Sequence, residues 1–154
     1  MSIEDYHPQK VFTVEEANKM LPLVKAIAAD VVELSRDVLD RRQRLEFLKS
    51  NRGDVSAGDP YGDELEQMQR DIEKDEEKLM EYVGELRQLG VEPKTLTEGL
   101  LDFPAMMDGR LVYLCWKHGE EEVAYWHELE AGFSGRQPLA VAVGEEGTDS
   151  ALGA

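Results

Sequence analysis

Asp102, Arg110, Cys115, His127 and Arg136 are the side chains from which chemistry is most readily built in this chain, and all lie between Gly99 and Arg136. The same stretch holds both Trp and two of the three His. His127 beside Glu128, with Asp102 and Glu120 or Glu121 on neighbouring segments, has the makings of a general base or of a carboxylate and imidazole metal site. His118, at a turn, is a further donor. No established ligand spacing accompanies them: the sequence has no HExxH, no CxxC and no pair of His on one helix face. No metal, no cofactor and no catalytic residue is therefore assigned. Cys115 lies inside an apolar run and reads as a buried, inert thiol. The plainer role of His127 is to hydrogen-bond backbone or Asp102 within a sheet.

Arg110 and Arg136 raise a different possibility. Two guanidinium groups near Trp126 suit a carboxylate or phosphate on a small ligand, with the glycines of Gly132-Phe133-Ser134-Gly135-Arg136 letting backbone N–H groups approach it. That run lacks the Lys-Ser/Thr of a P-loop, so nucleotide hydrolysis is not indicated. The plainer role of both Arg residues is pairing with Asp102, Glu120 or Glu128. The candidate ligand- or partner-binding residues are thus Asp102, Arg110, Trp126, His127, Glu128 and Arg136.

The elements that must position these residues are written in the rest of the chain. Among 154 residues, 33 acidic against 17 basic side chains give a formal charge of -16. Such an excess repels phosphate backbones and anionic lipid, which argues against nucleic acid and membrane surfaces as partners. One Cys cannot close an internal disulfide, no run approaches a membrane span, and MSIEDYHPQK lacks the blocks of a signal peptide. A reduced, cytoplasmic setting is expected. The length fits one domain, over residues 1–143, followed by a disordered acidic tail at 144–154.

Thr13-Val14-Glu15-Glu16 spells a capping box, with Val11 and Phe12 as staple residues. From there Ala17, Met20, Val24, Ile27, Val31, Leu34, Val38, Leu45 and Leu48 form a heptad seam in which Arg41 takes the one missing position. Pro22 predicts a kink or a short first turn near 18–22, then a helix to about Ser50. Asn51–Gly62 reads as a loop. A second helix follows from about Pro60 or Asp63 to Leu89, with Leu65, Met68, Ile72, Leu79, Tyr82, Leu86 and Leu89 in its seam and Asp75 at the gap.

If Leu48 packs near Leu65, Arg41 and Asp75 fall in adjacent layers. A bidentate ion pair or two outward-pointing side chains are both open. The fold class expected is α+β: a long antiparallel two-helix, coiled-coil-like hairpin over about 13–89, with a small antiparallel β cap over about 95–143 at one end. A hairpin of that length outruns a small cap, so part of its seam is expected to pack on a second copy.

Within the cap, Gly90 and Pro93 end the second helix, Leu100–Phe103 is a short apolar run, and Leu111–Trp116 and Val123–Leu129 form a hairpin around Lys117–Glu122. Pro138–Val143 reads as a last edge strand. Under an odd-sum register, Val112, Leu114, Trp116, Val123, Tyr125 and His127 share one face, and Leu111, Tyr113, Cys115, Ala124, Trp126 and Glu128 the other. Both faces are largely apolar, so each needs cover.

The segments FTVEEANKMLP, GLLDFPA and GRLVYLCWKHGEEEVAYWHELEAGFSGR together resemble the bacterial family called domain of unknown function 2203. The resemblance covers nearly the whole chain apart from the acidic tail. Its characteristic positions fall in this sequence on residues such as Thr13, Glu16, Asn18, Pro22, Asp102, Arg110, Cys115, Trp116, His127 and Arg136. It implies a compact cytoplasmic bacterial protein and supplies no reaction. Two functions are weighed: a noncatalytic homo-oligomeric interaction module, whose cap recognises a partner protein, and a ligand-binding protein or enzyme with a pocket around Asp102, Arg110, His127 and Arg136. The second admits dependence on a metal held by His127 and its acidic neighbours.

Overall fold

The computed structural model describes residues 8–52 and 59–139. Its first element, α1, runs over Val14–Arg52 and opens on the capping box: the Thr13 N–H donates to Glu16 Oε1 and the Glu16 N–H to Thr13 Oγ1, both at 3.0 Å. No separate short turn forms at Pro22: α1 continues through it as one helix. The turn that loses a donor to Pro22 is tied down by its own side chain: Asn18 Oδ1 accepts from the Val123 N–H at 2.7 Å, and Asn18 Nδ2 donates to the Val123 carbonyl at 3.3 Å. One amide thus reads both polar groups of a cap residue more than a hundred positions away.

The second helix, α2, spans Pro60–Gln88, with Asp59 accepting from the Tyr61 N–H and Pro60 in the first turn, where its missing donor costs nothing. It ends on Gly90 at φ +91°, where the Val91 N–H reaches the Leu86 carbonyl and the Gly90 N–H the Arg87 carbonyl. This 6→1 and 5→2 pair is a Schellman close, with Val91 buried beneath it.

Among the described residues five antiparallel strands follow in simple meander order: β1 (Glu92–Thr95), β2 (Leu100–Met107), β3 (Arg110–Lys117), β4 (Tyr125–Glu128) and β5 (Gln137–Pro138). The cap therefore begins at Glu92, three residues before its expected start. The tight hairpin is β2–β3, closed by Asp108 and Gly109 at φ +52° and +78°, the two positive dihedrals of a primed turn. Leu100–Phe103 is only the first half of an eight-residue strand. Of the expected last strand only Pro138 is in β5, and residues 140–143 and the tail lie outside the described residues.

Register corrects the expected faces. Strand β4 pairs with β3 as Val112↔Glu128, Tyr113↔His127, Leu114↔Trp126 and Cys115↔Tyr125, an even sum, because Lys117 continues β3 and residues 118–124 form a longer connection than a tight turn. Shifting by one residue turns every β4 side chain over. Trp126 thereby joins Val112, Leu114 and Trp116, while His127 joins Tyr113 and Cys115.

The Trp126 face is the inner one. Leu101, Phe103, Ala105, Val112, Leu114, Trp116 and Trp126 pack in one cluster with Ala17, Leu21, Val24, Ala28 and Val31 of α1 and Leu79 and Leu86 of α2. Near the cap α1 faces both α2 and the sheet, so its buried stripe widens beyond the expected seam to take in Leu21, Ala28 and Val32. Gly99, at φ +64°, lets the chain pass here: a Cβ on it would lie 2.5 Å from His118 Cβ and 2.9 Å from Val32 Cγ2.

Farther out, among the described residues, only the two helices remain. Val38, Leu45, Leu65 and Ile72 form a separate small core, with Leu34, Leu48, Tyr61 and Met68 against it. Arg41 and Asp75 do meet across it, Nη2 to Oδ2 at 2.5 Å, and Arg42 pairs with Glu76 at 2.6 Å beside them. The pair is not bidentate. Arg41 Nη2 is shared with Asp37 at 2.9 Å, and its Nε finds no partner among the described residues.

Candidate cap site

Asp102 stands in the middle of β2, directly opposite Cys115 of β3, and the even register brings His127 of β4 to the same outer face. The three side chains come from adjacent strands in a row, and their ligand atoms lie within 4.8 Å of one another. All are buried: Asp102 and His127 are each 2% exposed and Cys115 is fully enclosed. Tyr113 supplies part of the cover, its ring centroid 5.6 Å from that of His127, with Lys94 Nζ 4.7 Å above the phenol.

The two ring nitrogens of His127 face acceptors. Nδ1 lies 2.7 Å from the Glu128 carbonyl and Nε2 lies 3.1 Å from Asp102 Oδ1. Neither oxygen of those groups donates when the carboxylate is ionised, so the arrangement calls for a proton on each nitrogen. Burial alone drives the imidazole toward its neutral form. The hydrogen bonds to Asp102, Cys115 and the Glu128 carbonyl, with the charge of Asp102, outweigh it and push the pKa up to about 10. A His held as imidazolium is no general base near neutral pH.

The Arg candidates are also engaged. Arg110 grips Glu128 with two bonds, Nε to Oε1 at 3.1 Å and Nη2 to Oε2 at 2.5 Å, and lies 5.7 Å from the Trp126 ring. That hydrogen-bonded pair raises the Arg110 pKa and lowers that of Glu128. Arg136 is bonded to Glu120 and stacks 3.7 Å over Tyr125 and 4.7 Å over Phe133, while its Nη1 is buried with no hydrogen-bond partner among the described residues. Glu120 in turn accepts from the Lys117 N–H, which fixes the turn.

Among the described residues the four side chains of the expected pocket do not converge. Asp102 and His127 lie together on the outer face, whereas Arg110 and Arg136 are each paired elsewhere, and the described clefts are lined by other residues. Trp126, expected at a binding surface, is 7% exposed in the inner core. Of the other possible donors, His118 packs edge-on to Trp116 and Glu121 offers its carbonyl to Lys25. Sequence reasoning set Cys115 apart from His127. The missing signal was register parity, since Asp102 and Cys115 are cross-strand neighbours through the legible Asp108-Gly109 turn.

Residues 10–139 match the family model for uncharacterized conserved proteins, DUF2203. The chain belongs to the DUF2203 family. No curated protein and no solved structure matches it. In this DUF2203 protein the family segment spans the capping box, both helices and the sheet through β5. Among its described residues no helix is long and apolar enough to cross a membrane.

Proposed function

We propose that this protein is a noncatalytic interaction module that associates with a second copy of itself through the outer part of the helical hairpin. The observation that carries this is a stripe of large apolar side chains exposed on the arm, where the described residues place no sheet over the helices; Met106 and Phe133 are exposed on the cap, but on separate elements. Leu39 is 48% and Phe47 64% exposed, and with Gln43 between them they lie at i, i+4 and i+8 on one stripe of α1. Leu39 also lines a cleft with Val38, Arg42, Glu76 and Leu96 where the arm leaves the cap.

Charge supports a second copy as the occupant. Residues 36–50 of α1 carry five basic and three acidic side chains, whereas residues 59–78 carry nine acidic and three basic. Two arms laid side by side in opposite directions set one copy's basic helix on the other's acidic helix, an isologous arrangement. The inward turn of Trp126 removes the strongest aromatic candidate for partner recognition at the cap and shifts the weight to the arm.

Sedimentation velocity across a concentration series tests the proposal. The native protein is expected to show a monomer–dimer equilibrium, and a Leu39→Glu, Phe47→Glu variant with an unchanged circular dichroism spectrum is expected to remain monomeric. A native protein that is monomeric throughout, or a folded variant that still dimerises, contradicts it.

A further inference from the structure

We propose that Asp102, Cys115 and His127 form a binding site for one thiophilic divalent cation of the zinc or cobalt(II) class. The proposal is independent of self-association, because the trio lies in the cap and the association stripe on the arm. A thiol, an imidazole and a carboxylate converge from three hydrogen-bonded strands, with their ligand atoms within 4.8 Å of one another. Donors about 2.0–2.3 Å from a tetrahedral zinc are roughly 3–4 Å apart, so a small contraction closes the set. His127 Nε2 and Asp102 Oδ1, at 3.1 Å, already have that separation.

The imidazole is also oriented as a ligand must be. Its Nδ1 donates to the Glu128 carbonyl at 2.7 Å, which commits Nε2 to the trio. A ligating His characteristically spends its other N–H on such an acceptor. The donor chemistry favours zinc-like ions over calcium or magnesium, which seek sets of hard oxygens. Sequence spacing could not reveal the trio, because one residue comes from each of three strands and neither CxxC nor HExxH is involved.

Metal entry balances by proton release. The Nε2 proton now shared with Asp102 and the Cys115 thiol proton leave to solvent, and nitrogen and sulfur each donate a lone pair to the ion, with no oxidation or reduction. Binding therefore tightens as pH rises. Three protein donors leave one tetrahedral position for water.

The test is cobalt(II) titration of the full chain, performed both on folded protein and during refolding, so that slow entry into a buried site is not mistaken for weak affinity. A thiolate-to-cobalt charge-transfer band saturating at about one equivalent, abolished in Cys115→Ser and displaced by zinc, is expected. Circular dichroism confirms that the variant folds. A second variant, Asp102→Asn, is expected to weaken cobalt binding at least tenfold. Absence of the band in native protein under both regimes, or a band of equal strength in folded Cys115→Ser, overturns the proposal.

Discussion

Asp102→Ala is expected to cost about 3–5 kcal/mol of stability, the usual penalty for stripping one partner from a buried ion pair. His127 is left enclosed, with burial no longer opposed by a carboxylate. The pH profile of the metal-free protein distinguishes this from ordinary packing loss. In the native protein the His127 pKa is raised to about 10, so its contribution is complete below the unfolded value near 6.5 and is lost as pH rises through 10. On removal of Asp102 only the Cys115 and Glu128 carbonyl hydrogen bonds still oppose burial, so that pKa is expected to fall and the alkaline loss to shrink. Urea denaturation at pH 5, 7 and 10 reads both slopes; an alkaline loss of equal size in native and variant proteins would refute the assignment.

Leu45→Ala is expected to destabilise the arm by about 2–5 kcal/mol and to do so locally. Leu45 is fully buried in a core of four buried residues and their half-buried neighbours, with no sheet above it. Where so few apolar contacts hold two helices together, the arm can open without the cap. The variant should therefore lose helical circular dichroism at a lower temperature than it loses near-ultraviolet Trp signal, because Trp116 and Trp126 both lie in the cap core. A single coincident transition in the variant would show that arm and cap unfold together. The same substitution is expected to weaken dimer formation, since it removes the scaffold that presents Leu39 and Phe47.

Much of the architecture was legible because it is written locally. The Thr13–Glu16 box, Gly90 with Pro93 behind it, and the paired defects Arg41 and Asp75 each rest on short spacings or on one helical period, and the structure contains all of them. That Pro22 does not end a short first turn was not legible, because the tie that holds its turn is remote: Asn18 is anchored by Val123.

The cap was less legible for the same reason. An Asp-Gly pair sets the β2–β3 turn locally, but the β3–β4 register depends on the path of residues 118–124. There the Trp116 indole donates to the Glu120 carbonyl, and Arg136 returns from beyond β4 to hold Glu120. One step of register decides whether Trp126 or His127 faces the helices. It thus decides whether the chain displays an aromatic surface or encloses the Asp102–Cys115–His127 trio.

The arm as the association surface is tested most directly by hydrogen–deuterium exchange, followed peptide by peptide as protein concentration is raised. Amides within 35–50 are expected to exchange more slowly at high concentration, while those of β2 and β3 keep their rates. Exchange on the arm that is independent of concentration, or new protection confined to the cap, would contradict the account.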